Sequence, residues 1–169
     1  GTVDGRPVPA YRGEAGVDPQ SLTPTYAAMK VYLDNWRWQG VPFFISSGKR
    51  LPEKLTEIAI QFKAVPHSMF RSALGEAISA NRLLLGIYPH ERITLTFQTK
   101  NPGATVCLRT VTMDFDYHQN YSGPLLDAYE KALLDCMLGD HMLFWRQDGI
   151  DLSWSYLSPV LDACESCED

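Results

Sequence analysis

The chain has 169 residues and a net charge of −5, from 15 basic and 20 acidic side chains. Apolar residues make up 45% of it and charged residues 21%, which is ordinary for a globular protein. This acidic balance argues against nucleic acid and against an anionic membrane as partners, because both select basic surfaces. No apolar run is long enough to cross a bilayer. The polar start, which lacks an initiator Met, predicts a piece of a longer cytoplasmic polypeptide.

The first segment, residues 1–24, is rich in Gly, Pro, Asp and Ser and has no hydrophobic period. It is therefore predicted to be an extended lead-in to a domain that spans residues 25–169. After it, apolar and polar residues alternate in the way that is typical of half-buried strands. The predicted strands are 26–34, 41–47, 56–63, 82–88, 92–99 and 105–115; the predicted connections are turns at 35–40, 89–90 and 100–103 and a loop at 66–80.

The period changes to helical spacing after Ser122-Gly123-Pro124, which predicts a helix that ends at Gly139. Asp148 is the predicted cap of a last helix, which we expect Pro159 to bend or shorten. Strands joined by short connections and followed by helices indicate the α+β class. The prediction is an antiparallel, mainly meandering β-sheet with C-terminal helices packed on one face.

The four cysteines do not indicate a metal or redox site. Cys107 and Cys136 lie in apolar segments and are predicted to be small buried hydrophobes. Cys164 and Cys167 form a CxxC pair, which would suit a redox couple or half of a zinc site. Zinc requires a second pair of ligands, and a redox CxxC normally opens a helix after a strand. We therefore expect no metal and no redox function.

The sequence also lacks the pieces of a self-sufficient dehydrogenase. Its glycines never form the GxGxxG turn that holds a dinucleotide pyrophosphate. None of the histidines has an Asp nearby in the sequence in a setting that suggests a general base; they are His67, His90, His118 and His141. We therefore assign no catalytic residue and no coenzyme-binding residue to this chain.

The most unusual local composition follows the second predicted strand, in the segment Gly48-Lys49-Arg50-Leu51-Pro52-Glu53-Lys54. A continuous strand would direct Lys49 and Lys54 to opposite faces, but Pro52 prevents that continuation. A bend there would bring both ammonium groups to one small anion, and Gly48 would allow close approach of the ligand. The alternative is a solvated charged turn without a ligand.

Aromatic residues cluster around the first predicted turn and suggest a packed corner. They are Trp36, Trp38, Phe43 and Phe44. A stacking platform for nucleic-acid bases would need a surrounding basic groove, which the sequence does not provide. Packing of a strand–turn–strand corner is therefore the preferred interpretation.

Several motifs, in the same order along the chain, resemble the C-terminal domain of the glucose-6-phosphate dehydrogenase family. Together they cover residues from about Val3 to Asp162. They are Tyr11-Arg12, Asp34-Asn35-Trp36-Arg37-Trp38-Gln39-Gly40-Val41-Pro42-Phe43, Gly48-Lys49-Arg50-Leu51-Pro52-Glu53-Lys54, Asn101-Pro102-Gly103, Asp127-Ala128-Tyr129-Glu130, Leu134-Asp135 and Gly139-Asp140.

The resemblance implies an enzyme of the oxidative pentose phosphate pathway that oxidises C1 of glucose 6-phosphate with NADP and gives 6-phosphogluconolactone. The Rossmann domain that holds the coenzyme, and the catalytic histidine, would lie before Gly1, so the chain alone is expected to be inactive. Two substrate contacts carry over: the lysine of the family's Gly-Lys motif matches Lys49, and its second basic position matches Lys54.

Departures from the family pattern carry predictions as well. Some relatives bind a second, structural NADP on the sheet, and here the matching positions lack cations: Ser46, Leu55, Ala59, Gly86, Thr94 and Thr96. We therefore expect no structural NADP. Tyr88 replaces a residue that is often Gln near the substrate, which leaves that contact open.

The resemblance also implies a homodimer or homotetramer formed through the sheet. The outward positions suited to burial at such a contact are Ala59, Thr94, Thr96 and Thr110. A second hypothesis remains open at this point, in which the chain is a non-catalytic oligomerisation module.

Overall fold

The computed structural model describes residues 2–3, 5–64, 78–104, 107–121, 123 and 126–165. The chain divides into two compact units: Gly1–Pro52 with Leu126–Asp169, and Glu53–Leu125. The described residues form two antiparallel sheets of two strands and one of four strands, together with C-terminal helices. The predicted α+β class is confirmed, and the predicted strands are distributed over more than one sheet.

The first unit opens with a small hairpin that the sequence analysis missed. Strand β1 (Thr2–Val3) pairs with β2 (Arg6–Pro7), and a 3-10 turn follows at Tyr11–Gly13. Gly5 has a φ of 74°, a conformation that costs little only for glycine and permits so tight a connection. Because the two strands are very short, they leave no hydrophobic period in the segment that was predicted to be extended.

The first long hairpin of this unit confirms its prediction. Strand β3 (Tyr26–Tyr32) pairs in full with β4 (Pro42–Gly48). In the connecting turn, the Asn35 side chain accepts a hydrogen bond from the Trp38 backbone N–H at 2.9 Å. Gly40 ends the turn at a φ of 74°. Glycine and asparagine therefore play the turn roles that their chemistry predicts.

The aromatic corner forms only in part. The Trp38 and Phe43 rings meet edge to face with centroids 5.3 Å apart, a favourable aromatic geometry. Trp36 is fully exposed and Phe44 largely so. The prediction that all these aromatic residues pack in the corner is wrong for those two, because the turn directs Trp36 away from the hairpin.

The second unit contains a four-stranded meander. Its strands are β5 (Thr56–Gln61), β6 (Arg82–Tyr88), β7 (Arg92–Lys100) and β8 (Leu108–Asp116), each antiparallel to the next. These bounds agree closely with the predicted ones and confirm the meander. Most of the predicted loop at 66–80, and residues 105–106 of the last predicted strand, lie outside the described residues.

The register of this sheet separates two faces. On one face polar residues pair across β7 and β8, and Thr94 Oγ1 donates to Asp114 Oδ1 at 2.6 Å. The residues on this face include the outward set of the sequence analysis: Ala59, Thr94, Thr96 and Thr110. The opposite face is apolar and is formed by Ile58, Ile60, Leu83, Leu85, Ile93, Leu95, Phe97, Val111, Met113 and Phe115.

Three helices are described: α1 (Tyr117–Asn120), α2 (Ala128–Leu138) and α3 (Gln147–Glu165). Helix α2 begins later than predicted, and Ser122 and Pro124 of the predicted start lie outside the described residues. Its predicted end is confirmed, because Gly139 adopts the left-handed conformation at a φ of 70°.

Helix α2 begins after Asp127, whose backbone N–H donates to the Glu130 carboxylate at 3.0 Å. Asp148 lies inside α3 rather than before it, so the predicted cap position is wrong by a residue or two. Pro159 was predicted to bend or shorten α3; it does not shorten the helix, which continues to Glu165, and a bend at Pro159 stays a prediction. Both α2 and α3 belong to the first unit and the meander to the second; the packing of helices on that sheet stays a prediction.

Apolar burial is low in both units. Among the described residues no apolar side chain is fully buried, and Met113 and Phe115 on the apolar sheet face are 60% and 44% exposed. The buried residue of this part of the chain is Asp135, 1% exposed, whose Oδ1 is paired with Lys131 Nζ. The predicted burial of Cys107 and Cys136 is wrong, because both thiols are exposed and apolar burial around them is low.

Candidate substrate-binding site

The turn after β4 carries Lys49 on a closely fixed main chain. The Lys49 backbone N–H donates to the Thr25 carbonyl oxygen at 2.7 Å. At Gly48, a Cβ atom would lie 2.8 Å from Tyr26 Cδ2 and 3.4 Å from the Thr25 oxygen. Only glycine therefore lets the end of β4 approach the start of β3 so closely. This contact and the hydrogen bond together fix the point from which the Lys49 side chain projects.

Arg50 continues this turn in an uncommon conformation. Its φ is 54°, in the left-handed region that residues with a Cβ rarely adopt. Its guanidinium pairs with the Glu14 carboxylate, and the two side chains are 38% and 31% exposed. The predicted interruption of the strand is confirmed, because β4 ends at Gly48, before Pro52, and no continuous strand carries both lysines; the bend that would bring them to one anion stays a prediction.

A cavity of about 600 Å³ lies beside Lys49, within the first unit. Its volume falls in the range that accommodates small-molecule ligands. Two cations, Lys49 and Arg12, line it together with the Asp18 carboxylate and several hydroxyl-bearing residues. This mixture of cations and hydroxyls suits a small, polar, anionic ligand. Its lining comprises Ala10, Tyr11, Arg12, Gly16, Val17, Asp18, Ser21, Leu22, Thr23, Pro24, Thr25 and Lys49.

Lys54 lies in the second unit, where an aromatic ring holds its ammonium group. Lys54 Nζ is 4.8 Å from the centroid of the Tyr88 ring, within the range of a cation–π interaction. Pairing of β5 with β6 explains the contact, because Thr56 is the register partner of Tyr88. Both residues stand out in the sequence, but nothing in the sequence connects them. The missing signal was the strand register, which brings the two together.

The two predicted lysines therefore lie in different units and make different contacts. Lys49 belongs to the first unit and Lys54 to the second. Contact of both lysines with one anion stays a prediction.

Of the uncharged positions from which the absence of a structural NADP was predicted, Ala59, Gly86, Thr94 and Thr96 share one face of the meander, and this face also carries cations. A Cβ at Gly86 would lie 2.9 Å from Arg92 Cγ, so the aliphatic stem of Arg92 lies against this glycine. Arg82 pairs with Thr96 on this face. Neither arginine stands at a position that matches a cation of the family's NADP site, so matching the sequence to the family does not reveal them. The absence of a structural NADP stays a prediction.

Three further observations concern the described part of the chain. Within it, no three His, Cys, Asp or Glu side chains are grouped so as to hold a metal ion. Cys164 is an exposed free thiol, and Cys167 lies outside the described residues. A search of the same residues finds no helix that is long and apolar enough to span a membrane.

Comparison with known proteins supplies the family. The family model described as "Glucose-6-phosphate dehydrogenase, C-terminal domain" matches residues 1–168. The chain is 43% identical to the glucose-6-phosphate 1-dehydrogenase of Aggregatibacter actinomycetemcomitans over 162 residues, which are 96% of this chain and 32% of the relative. It is 41% identical to that of Treponema pallidum over 167 residues, 98% of this chain and again 32% of the relative.

Solved structures agree with the sequence relatives. A glucose-6-phosphate dehydrogenase in complex with its substrate glucose-6-phosphate matches with a TM-score of 0.83 and 36% identity, over 95% of this chain and 32% of that one. The enzyme from Mycobacterium avium matches with a TM-score of 0.72 and 33% identity, over 90% of this chain and 32% of that one. The chain belongs to the glucose-6-phosphate dehydrogenase family, as its C-terminal domain. It spans about a third of the length of these relatives.

Proposed function

We propose that this chain is the substrate-facing C-terminal part of an NADP-dependent glucose-6-phosphate 1-dehydrogenase. The reaction oxidises C1 of glucose 6-phosphate to the lactone, and NADP accepts the hydride as a proton is released. Family membership supports the proposal, and so does the likeness to a solved dehydrogenase that holds glucose-6-phosphate as its substrate. The observation that carries the proposal is the fixed turn that presents Lys49 at a polar cavity.

Within this proposal the two lysines bind the phosphosugar as cationic hydrogen-bond donors. Lys49 acts from the cavity turn, and Lys54 acts from its position over the Tyr88 ring. Lysine suits this role because its ammonium is a compact charge with three donors on a mobile stem. NADP binds to the part of the relatives that this chain does not match, so the chain alone turns over no substrate. The proposed location is the cytoplasm.

Lys49→Ala tests the proposal in a complete dehydrogenase whose C-terminal part is this chain. Loss of a charge-assisted contact of about 1.5–3 kcal/mol lowers kcat/KM for glucose 6-phosphate about tenfold to a hundredfold. The KM for NADP stays unchanged. Formation of the reduced coenzyme, followed by absorbance, gives both constants.

The matched control is Lys63→Ala, an exposed lysine just beyond β5, which leaves the kinetics unchanged. Equal kinetics for Lys49→Ala and Lys63→Ala would instead favour the solvated charged turn.

The sheet supports a further part of the proposal, self-association into a homodimer or homotetramer. On this face Ala59, Thr94, Thr96 and Thr110 are small and weakly polar side chains, which desolvate at little cost, and Arg82, Arg92 and Asp114 share the face with them. Light scattering at tens of micromolar, where interfaces of standard size persist, measures the mass. The complete enzyme is expected to be at least a dimer, and Thr94→Arg to reduce its mass; a strict monomer contradicts this part of the proposal.

A further inference from the structure

We propose that the Glu14–Arg50 ion pair positions Lys49 for the phosphosugar by tying the cavity wall to the lysine-bearing turn. Neither residue is assigned a contact with the substrate. The inference rests on the proposed function, because it concerns the geometry of a substrate-binding lysine.

The turn at Arg50 needs an external restraint. A left-handed backbone is unfavourable for a residue with a Cβ, and such a conformation persists where its surroundings hold it. The Lys49 hydrogen bond to Thr25 and the close contact at Gly48 fix the turn on its N-terminal side. On its C-terminal side the described restraint is the contact from the Arg50 guanidinium to Glu14.

Glu14 is a firm anchor for that contact. Its backbone N–H donates to the Tyr11 carbonyl at 3.1 Å, and its carbonyl accepts from the Val17 N–H at 3.2 Å. Tyr11 and Val17 also line the cavity that Lys49 borders. The ion pair therefore joins one wall of the cavity to the neighbour of Lys49. Breaking the pair lets the wall and the lysine move relative to each other.

A simpler alternative is that Arg50 acts only through its charge, attracting an anionic substrate to the adjacent Lys49. The two explanations differ for Glu14. If charge alone matters, Glu14→Arg adds positive potential near the site and strengthens substrate binding. If positioning matters, Glu14→Arg weakens binding, because two like charges then face each other across the contact.

The experiment compares Glu14→Arg, Arg50→Glu and the double variant in the complete enzyme. A partly exposed ion pair is modest in strength, so each single variant lowers kcat/KM for glucose 6-phosphate about two- to fivefold, mainly through KM. The double variant restores the pair with its charges exchanged and returns kcat/KM to within about twofold of the parent. Glutamate replaces arginine at the same left-handed position, so the backbone cost is similar.

Two controls separate this effect from general damage. Arg146→Glu breaks another ion pair, Arg146 with Asp148 at the start of α3, whose side chains are 85% and 61% exposed, and it leaves KM unchanged. Thermal unfolding of every variant gives its stability, and the double variant is the one to rely on if a single variant folds poorly.

A stronger or unchanged affinity in Glu14→Arg, or no recovery in the double variant, overturns the positioning role. Loss of activity in Lys49→Ala with no effect of the Glu14 variants removes this inference alone. No effect of Lys49→Ala removes the substrate-binding role that the proposed function gives to Lys49.

Discussion

The side chains of Lys49 and Lys54 are held in place in different ways. Around Lys49 the main chain is fixed by a short backbone hydrogen bond, a glycine contact and a paired neighbour. Lys54 is restrained through its own ammonium group, which lies over the Tyr88 ring. A rigid main chain places a side chain accurately but tolerates few changes of its shape, whereas a ring restrains any cation of suitable reach. The two lysines should therefore respond differently to the same substitutions.

The largest difference is expected from exchanging the cation. Lys54→Ala removes a contact of about 1.5–3 kcal/mol and lowers kcat/KM about tenfold to a hundredfold. Lys54→Arg retains most of the activity, because a guanidinium also lies well on an aromatic ring. Lys49→Arg is more damaging than Lys54→Arg, since the fixed turn cannot accommodate a wider head group.

Steady-state kinetics for glucose 6-phosphate measures this ranking. Equal losses of kcat/KM for Lys49→Arg and Lys54→Arg would show that the fixed main chain at Lys49 and the ring at Lys54 tolerate a guanidinium equally well.

A smaller effect tests the fixed main chain directly. Gly48→Ala places a Cβ against Tyr26, which displaces the turn and lowers kcat/KM severalfold, in line with overpacking costs of about 1–3 kcal/mol. Gly149→Ala is the matched control, because open space surrounds that glycine in α3 and alanine is a better helix former there by about 1 kcal/mol. If both alanine variants keep the parent kinetics, the close approach at Gly48 has no bearing on Lys49.

The smallest effect concerns the ring beneath Lys54. Tyr88→Leu removes a cation–π interaction worth about 0.5–1 kcal/mol and lowers kcat/KM about two- to fivefold, whereas Tyr88→Phe keeps the ring and the activity. Tyr32→Leu is the control: that ring lies 5.3 Å from Lys30 Nζ, in a pair outside the proposed site. A loss in Tyr88→Phe equal to that in Tyr88→Leu would assign the effect to the hydroxyl instead.

Sequence periodicity was sufficient for the strands and much less so for the helix ends. In β7 apolar and polar residues alternate without interruption and β6 is almost entirely apolar, so the bounds of both were predicted almost residue for residue. Pro159 was expected to bend or shorten α3, and the helix is not shortened, because it continues through Pro159 to Glu165. Trp36 was expected to pack and is exposed, since composition does not specify the direction in which a turn projects a side chain.

For the candidate site, local composition was sufficient to identify the two lysines, but it did not predict the contacts that restrain them. The Glu14–Arg50 pair joins segments far apart in the sequence, and the contact of Lys54 with Tyr88 follows from strand register. Neither relation leaves a local pattern along the chain. The left-handed backbone at Arg50 was equally hidden, because arginine gives no sign of such a conformation.

The exposure of apolar side chains in the meander has a thermodynamic consequence. Heat capacity rises on unfolding because apolar groups enter water, by about 12–15 cal/mol/K per residue in ordinary globular proteins. In this chain side chains such as Met113, 60% exposed, are already hydrated before unfolding begins. Melting of the chain by itself should therefore show a smaller heat-capacity step per residue and a shallower dependence on urea. Both quantities should rise in the complete enzyme if its remaining part covers those side chains.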